Sequence, residues 1–224
     1  MPHWLHTLLR ILVPGIIILL ELFVFYAVAF QHVPQSSQLW GLFTADFGKW
    51  SGLAGAAMVL GWLYYFFDFT HKIDERTLGG MKDIHANITR RLTEPFCPDP
   101  VLSDKINRLD WRAIRRIFFR FIDETPSLKT SNDLAFLSGL AFYSFIDLAA
   151  ISCLFFVASA AALATGFAAA PIRWYMMALG AAVAVSVLGA RAAIRKHKET
   201  SNLQLDAILS DYQEELRKRL NASV

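Results

Sequence analysis

The sequence predicts an all-α membrane protein with four transmembrane helices arranged as two hairpins, and three observations lead to that class. Hydrophobic residues make up 55% of the 224-residue chain, above the usual fraction for soluble domains. Four apolar runs occupy residues 11–30, 51–69, 134–164 and 172–190, and a helix of about 20 residues crosses the hydrocarbon core. Because lipid cannot satisfy exposed backbone polar groups, each run is predicted to be a helix.

The distribution of positive charge predicts the orientation of these helices. Twelve Lys and Arg residues lie between residues 71 and 133 and seven follow residue 190. The other side, with connections at 31–50 and 166–171, carries only Lys49 and Arg173. Because basic residues near span ends favour the cytoplasm, the N-terminus, the central insert and the C-terminus are predicted to be cytoplasmic. The expected location is the bacterial inner membrane or an equivalent membrane.

Four segments follow from this topology. Residues 1–69 form the first transmembrane hairpin, 70–133 a cytoplasmic helical insert, 134–190 the second hairpin and 191–224 a cytoplasmic C-terminal helix. The first run is interpreted as a retained span, since signal-peptide cores rarely contain a carboxylate such as Glu21. Small residues predict close helix approach, within one chain or between chains. They are Ser51, Gly52, Gly55, Ala56, Gly180 and Ala184.

The insert is predicted to extend the second span and then to contain a hinge and two helices. Gly79 and Gly80 are conformationally free and poorly helical, so they are expected to form the hinge. Apolar residues recur at helical spacing over 81–92. Prolines end that helix, and Ser103 is predicted to cap a second helix that runs to about Glu124.

The C-terminal segment is predicted to continue the fourth span through Lys198. Ser201 and Gln204 form a capping-box pattern that would start a separate last helix. A short apolar seam follows at helical spacing. It consists of Leu205, Leu209, Tyr212 and Leu216. The seam is too short for a coiled coil, so it is expected to pack against the insert.

Two carboxylates near the middle of predicted spans are the main candidates for an intramembrane site. Glu21 lies in the first span and Asp147 in the third, where a charge costs at least about 2.5–3.5 kcal/mol. Tyr143 and Ser144 share a helix face with Asp147. The functional interpretation is an ion, proton or gating site formed by these four side chains. The structural interpretation is that each carboxyl is neutral and hydrogen-bonds to a neighbouring helix.

A basic face marks the second predicted insert helix. Its arginines are Arg108, Arg112, Arg115, Arg116 and Arg120. Guanidinium groups match phosphate geometry, so this face is expected to contact anionic lipid head groups, or alternatively a nucleotide or nucleic acid. The structural interpretation is a solvated face, supported by ion pairs between Asp104 and Arg108 and between Arg120 and Glu124.

No residue pattern points to a reaction. The sequence contains neither a phosphate-binding glycine loop nor a Gly-x-Ser-x-Gly elbow. Its six histidines and two cysteines lack metal-ligand spacing. A non-enzymatic protein without a cofactor or a metal is therefore predicted.

Two functions fit these predictions. The first is a small homo-oligomeric membrane effector of the stress or defence type, whose cytoplasmic module senses a ligand or partner and alters membrane permeability in a channel-like way. The second is a non-enzymatic scaffold that anchors a soluble cytoplasmic protein at the membrane. Neutral substitution of Glu21 and Asp147 is expected to abolish activity in the effector and to be silent in the scaffold.

Overall fold

The computed structural model describes residues 3–29, 47–75, 79–106, 108–166 and 171–222. Every regular element in these ranges is a helix, which confirms the all-α class. The α-helices are α1 (His3–Ala29), α2 (Phe47–Phe66), α3 (Phe69–Ile73), α4 (Gly80–Thr93), α5 (Pro100–Ile106), α6 (Trp111–Glu124), α7 (Pro126–Ala164), α8 (Ile172–Asp211) and α9 (Gln213–Ala222). Most of the predicted outer connections, at 31–50 and 166–171, lies outside the described residues.

The chain divides into two compact units, each built from two separate segments. The apolar unit comprises Met1–Ile73 and Leu140–Arg191. The polar unit comprises Asp74–Gly139 and Ala192–Val224. The helices α7 and α8 therefore each contribute one part to the apolar unit and another part to the polar unit.

Among the described residues, three helices are long and apolar enough to cross a membrane. They are Thr7–Ala29, Pro126–Ala164 and Ile172–Asp211, and the last two also contain segments of the polar unit. The helix α2 has 20 residues and contains the shorter apolar stretch Gly52–Phe66. The structure thus fits a helical membrane protein with three spanning helices, and the fourth span remains a prediction.

The helices α1 and α2 pack with their backbones in direct contact. A Cβ atom on Gly15 would lie 1.8 Å from the carbonyl oxygen of Ala57, and one on Gly61 would lie 1.8 Å from that of Ile11. Because a Cβ cannot approach a backbone oxygen so closely, both positions require glycine. Small residues allow such close approach between membrane helices, where van der Waals packing is a main source of association energy.

The residues predicted for close helix approach are not the ones that α1 and α2 use. The described members of that set are Gly52, Gly55, Ala56, Gly180 and Ala184. A Cβ added to any of these three glycines would have no neighbour within 4 Å, and both alanines are exposed. Within the described residues the alternative of close approach inside one chain is therefore wrong, since α1 packs on another side of α2, and close approach between chains stays a prediction.

The second span does not continue into the insert as predicted. The helix α2 ends at Phe66, and Asp68 has a left-handed backbone conformation with φ of 52°. Aspartate tolerates this conformation better than most residues. The Lys72 ammonium donates a hydrogen bond of 2.9 Å to the carbonyl of Phe67, which the end of the helix leaves without a helical partner.

The polar unit has its own hydrophobic core. Ile84, Ile88 and Leu92 of α4 are buried in it, which confirms the helical spacing predicted for this stretch. The apolar arc of α6 is buried in the same core. It consists of Ala113, Ile114, Ile117, Phe118, Phe121 and Ile122. Leu205, Ile208, Leu216 and Leu220 also belong to the core, which confirms that the C-terminal segment packs against the insert.

The predicted helix from Ser103 to Glu124 is wrong, because the chain forms two helices there. The first, α5, begins at Pro100 and already contains Ser103. The second, α6, begins after Asp110, whose extended backbone and carboxylate cap the helix by accepting a hydrogen bond of 2.8 Å from the Ala113 amide. Arg108 consequently lies before α6 and does not share its face with the other arginines.

The capping box predicted at Ser201 and Gln204 is also wrong. Both residues are buried inside the uninterrupted helix α8, with 2% and 1% of their surfaces exposed. Packing against the core of the polar unit stabilises the helix through this stretch. The break occurs instead near Tyr212, after which α9 begins.

Candidate functional site

The carboxylate of Glu21 joins three helices of the apolar unit. The phenol of Tyr175 in α8 donates a hydrogen bond of 2.5 Å to Glu21 Oε2. The Ser152 hydroxyl in α7 donates a longer hydrogen bond of 3.4 Å to Oε1. The ring of Phe25, one turn further along α1, packs at 6.0 Å edge-on to Phe155. Hydrogen bonds of the Glu21 carboxylate and an aromatic contact thus connect α1 with α7 and α8.

The carboxylate of Asp147 makes a separate contact. Asp147 is 4% exposed, and Thr70 Oγ1 donates a hydrogen bond of 2.5 Å to its Oδ1. Thr70 is also buried and belongs to α3, the short helix that follows the break at Asp68. This contact fixes α3 to the middle of α7.

The side chains of the polar stripe predicted around Asp147 make different contacts, and whether they act together stays a prediction. The Tyr143 ring lies under the guanidinium of Arg10, with 4.2 Å between Cζ and the ring centroid. The Ser144 hydroxyl donates a hydrogen bond of 3.0 Å to the carbonyl of Leu140 in its own helix. The structure also gives Glu21 and Asp147 different partners, so each is a separate interhelical contact.

The hydroxyl partners were missed by sequence reasoning. Thr70, Ser152 and Tyr175 are ordinary residues of apolar stretches or their ends, and no spacing relates them to the carboxylates. A general signal existed, because a carboxyl within a span needs a donor or acceptor from another helix. That signal identifies the class of partner but does not select which hydroxyl it is.

The predicted hinge is held in a defined turn. Gly79 has φ of +58°, and its amide donates a hydrogen bond of 2.7 Å to the carbonyl of Asp74. The Asp74 carboxylate is 1% exposed and accepts hydrogen bonds from the amides of Gly80, at 2.9 Å, and Met81, at 3.3 Å. Asp74 thereby satisfies open amides at the N-terminus of α4. Whether Gly79 and Gly80 act as a hinge stays a prediction.

The five arginines predicted to form the basic face are exposed and partly paired. Arg108 contacts Asp104 at 2.7 Å and Arg120 contacts Glu124 at 2.9 Å, which confirms both predicted ion pairs. Arg115 lies over the Phe119 ring, with 5.6 Å between Cζ and the centroid. Arg112 and Arg116 project from the exposed side of α6.

A cavity of about 390 Å³ lies between α6 and α9 in the polar unit. Its described lining consists of Ala113, Arg116, Ile117, Arg120, Arg219 and Ala222. Arg219 was not among the predicted binding residues. Its Nη2 lies 2.5 Å from Glu124, so one carboxylate holds Arg120 and Arg219 together. Hydrogen bonds from Arg219 first and Arg120 second keep the pKa of Glu124 below its usual range.

A buried histidine is a further titratable group that sequence reasoning did not single out. His197 Nδ1 lies 2.7 Å from the carbonyl oxygen of Ala135 and 3.1 Å from Ser138 Oγ. Burial lowers the pKa of His197, and the backbone hydrogen bond opposes that shift. The imidazole thus connects α7 with α8 inside the polar unit.

Among the described residues, no three His, Cys, Asp or Glu side chains converge as ligands of a metal ion would. Comparison with protein-family models, with curated proteins and with solved structures finds no match to this chain.

Proposed function

We propose that this chain is a non-enzymatic membrane effector in which a cytoplasmic helical module senses a ligand and changes the permeability of the membrane. The single observation that carries the proposal is the continuity of α7 and α8. They have 39 and 40 residues respectively, and each runs without a break from one unit to the other. Because a helix transmits displacement along its axis through its backbone hydrogen bonds, ligand binding in the polar unit would bias the spans.

The topology in this proposal has four spans with both termini in the cytoplasm. The 20 residues of α2 are long enough to cross the hydrocarbon core. The nineteen basic residues that lie in the insert and C-terminal segment favour the cytoplasm for the polar unit. The exposed small residues of α2 and α8 suit contact with further copies of the chain, so the effector is proposed to be a homo-oligomer.

Ion flux through liposomes that contain the purified full-length chain tests the proposal. Nucleotides, pyrophosphate and soluble proteins encoded beside the gene serve as triggers. Flux that starts on adding a trigger, and that Glu21→Gln with Asp147→Asn abolishes without loss of assembly, supports the effector. Assembled protein that conducts under no trigger would refute it.

A scaffold that anchors a soluble protein at the membrane is the second candidate. The observation that favours it is that Glu21 and Asp147 are each engaged by a hydroxyl of another helix, as structural contacts would be. In this case the double substitution leaves partner capture unchanged, and substitutions on the surface of the polar unit remove it. Flux and partner capture measured on the same variants separate the two candidates.

A further inference from the structure

Three guanidinium groups from two helices meet at the cavity of the polar unit. Arg116 and Arg120 lie on successive turns of α6, and Arg219 comes from α9. The rest of the described lining is Ala113, Ile117 and Ala222. The two alanines leave room between the arginines, and the described lining contains no carboxylate.

Two of these guanidiniums form ion pairs beside the cavity, and Arg219 is the more firmly held. Glu124 accepts from Arg120 Nε at 2.9 Å and from Arg219 Nη2 at 2.5 Å. Glu215 accepts from Arg219 Nε at 3.0 Å, and the Arg219 guanidinium lies 4.2 Å from the centroid of the Phe121 ring. Only 19% of the Arg219 side chain is exposed. A ligand therefore meets positioned donors, and little side-chain freedom is lost on binding.

The guanidinium groups at the cavity outnumber the carboxylates that pair with them. Glu124 and Glu215 offset two of the three guanidiniums. Among the described residues, no acidic side chain is paired with Arg116, which is exposed at the cavity. Each guanidinium has five N–H donors, and Arg120 uses only Nε in its ion pair. Donors of Arg116 and Arg120 thus remain for a ligand, and the charged residues in the described lining are all positive.

We propose that this cavity binds a phosphate-bearing anion, and that Arg116 is the residue on which its affinity depends most. The planar fork of arginine matches phosphate oxygens with two parallel hydrogen bonds. A volume of about 390 Å³ lies within the range of small-molecule sites and exceeds the needs of a single chloride ion. The phosphate belongs either to a soluble phosphorylated molecule or to a lipid head group.

This inference deepens the proposed function, since the cavity would be the place where the module senses its ligand. It also changes which arginines are proposed to bind the anion. Arg112 and Arg115 lie on α6 outside the described lining, and Arg108 precedes the helix. Arg219 takes their place, because α9 packs beside α6.

Binding measurements on the full-length chain test the site. In neutral detergent, titration calorimetry with pyrophosphate and with ATP measures binding of a soluble phosphate. In phosphatidylcholine nanodiscs, the same titrations are repeated with and without phosphatidylglycerol to measure competition by a lipid phosphate. Arg116→Gln removes a guanidinium of the cavity, and Arg112→Gln is the matched control, since it removes an exposed guanidinium from the same helix outside the lining.

The expected result is saturable binding that Arg116→Gln weakens about 10- to 100-fold, the usual effect of losing a charge-assisted hydrogen bond, while Arg112→Gln changes it less than about twofold. Binding of pyrophosphate or ATP in detergent identifies a soluble ligand. Binding in phosphatidylcholine nanodiscs that phosphatidylglycerol abolishes identifies a lipid head group as the preferred occupant.

Two results would overturn the site: no saturable binding in any arm, or equal weakening by both substitutions, which would mean diffuse attraction to the basic surface. Failure of the site and failure of the effector remain distinguishable. Saturable binding with no effect on ion flux would retain the site and refute the effector, whereas triggered flux that Arg116→Gln leaves unchanged would refute only the site's role in sensing.

Discussion

At the scale of single residues, hydroxyl groups of other helices hold the carboxylates of Glu21 and Asp147. Tyr175 donates a hydrogen bond to Glu21 and Thr70 donates one to Asp147, each with a donor–acceptor distance of 2.5 Å. Hydrogen bonds between membrane helices stabilise the fold by about 0.5–2 kcal/mol each. The structural interpretation of the carboxylates therefore has specific partners, and any gating role must be tested against it.

Substitution Thr70→Val is expected to destabilise the apolar unit by about 0.5–2 kcal/mol, because it keeps the side-chain shape and leaves a buried Asp147 oxygen without its donor. Thermal unfolding in detergent measures the change. Thr165→Val is the control, since Thr165 is exposed and bonds only to carbonyls of its own helix. Equal midpoints for both variants would show that the Thr70 contact contributes nothing.

The buried imidazole of His197 predicts a loss of stability in acid. Burial holds its pKa below that of the unfolded chain, which is about 6.5. The folded chain then binds fewer protons, so stability is retained above that pH and is lost as the pH falls below it. The drop in melting temperature between about pH 7.5 and pH 5.5 should shrink in His197→Gln.

His71→Gln is the control for the pH prediction, because His71 is exposed. This variant should retain the acid-dependent drop of the unsubstituted chain. A drop that is equally large in His197→Gln would mean that other groups cause the acid sensitivity.

What could be predicted about single residues depended on their distance along the chain. The ion pairs of Arg108 with Asp104 and of Arg120 with Glu124 join residues four positions apart, and both were predicted. The contacts of Glu21 with Tyr175 and of Glu124 with Arg219 join distant elements. Their geometry depends on how whole helices pack, which a single sequence does not specify.

At the scale of elements, the contact between α1 and α2 depends on two glycines. Gly61→Ala should disrupt it, because the new Cβ would lie 1.8 Å from the carbonyl oxygen of Ile11 in α1. A cost of about 1–3 kcal/mol is expected from overpacking, and thermal unfolding in detergent measures it.

Gly55→Ala is the matched control for this contact. Gly55 lies in the same helix, and an added Cβ there would have no neighbour within 4 Å. Since alanine favours helix over glycine by about 0.5–1 kcal/mol, stability should stay the same or rise. Equal destabilisation by the two substitutions would contradict the assigned contact.

The continuity of α8 predicts that a break at the boundary between the units uncouples them. Ala192 is exposed and is the first residue of the polar unit's second segment. Ala192→Pro removes a helical hydrogen bond and clashes with the preceding turn, at a cost of about 3 kcal/mol or more. Ligand-triggered flux should disappear while phosphate binding by the polar unit persists.

Ala192→Ser keeps the helical backbone and serves as the control for that substitution. Circular dichroism should show that both variants remain folded. If Ala192→Pro conducts on adding the ligand as well as Ala192→Ser does, the continuous helix is not the coupling element.

The existence of helices was more predictable than their ends. Hydrophobic spacing correctly predicted α4 and the buried arc of α6. Capping signals failed at Ser103 and Ser201 because both residues lie inside helices that packing stabilises. The cap at Asp110 depends on a local backbone turn, and several other residues in this stretch had comparable capping propensity.

At the scale of the whole molecule, composition was the strongest predictor. The long apolar runs indicated a helical membrane protein, and three helices have the required length and hydropathy. The grouping of the insert with the C-terminal segment around one core depended on a short apolar seam. The arginine cavity could not be predicted, because it forms only where α6 and α9 pack together.

The discontinuous composition of the polar unit has a consequence for its biosynthesis. Its first segment ends at Gly139, but Leu205, Ile208 and Leu216, which complete its core, are translated after the Leu140–Arg191 segment of the other unit. At about 5–20 residues per second, the ribosome needs roughly 4–15 s to translate from Leu140 to Leu216. During that interval the apolar faces of α4 and α6 lack their final partners, so the nascent insert should be a substrate for chaperones and proteases until the C-terminal segment emerges.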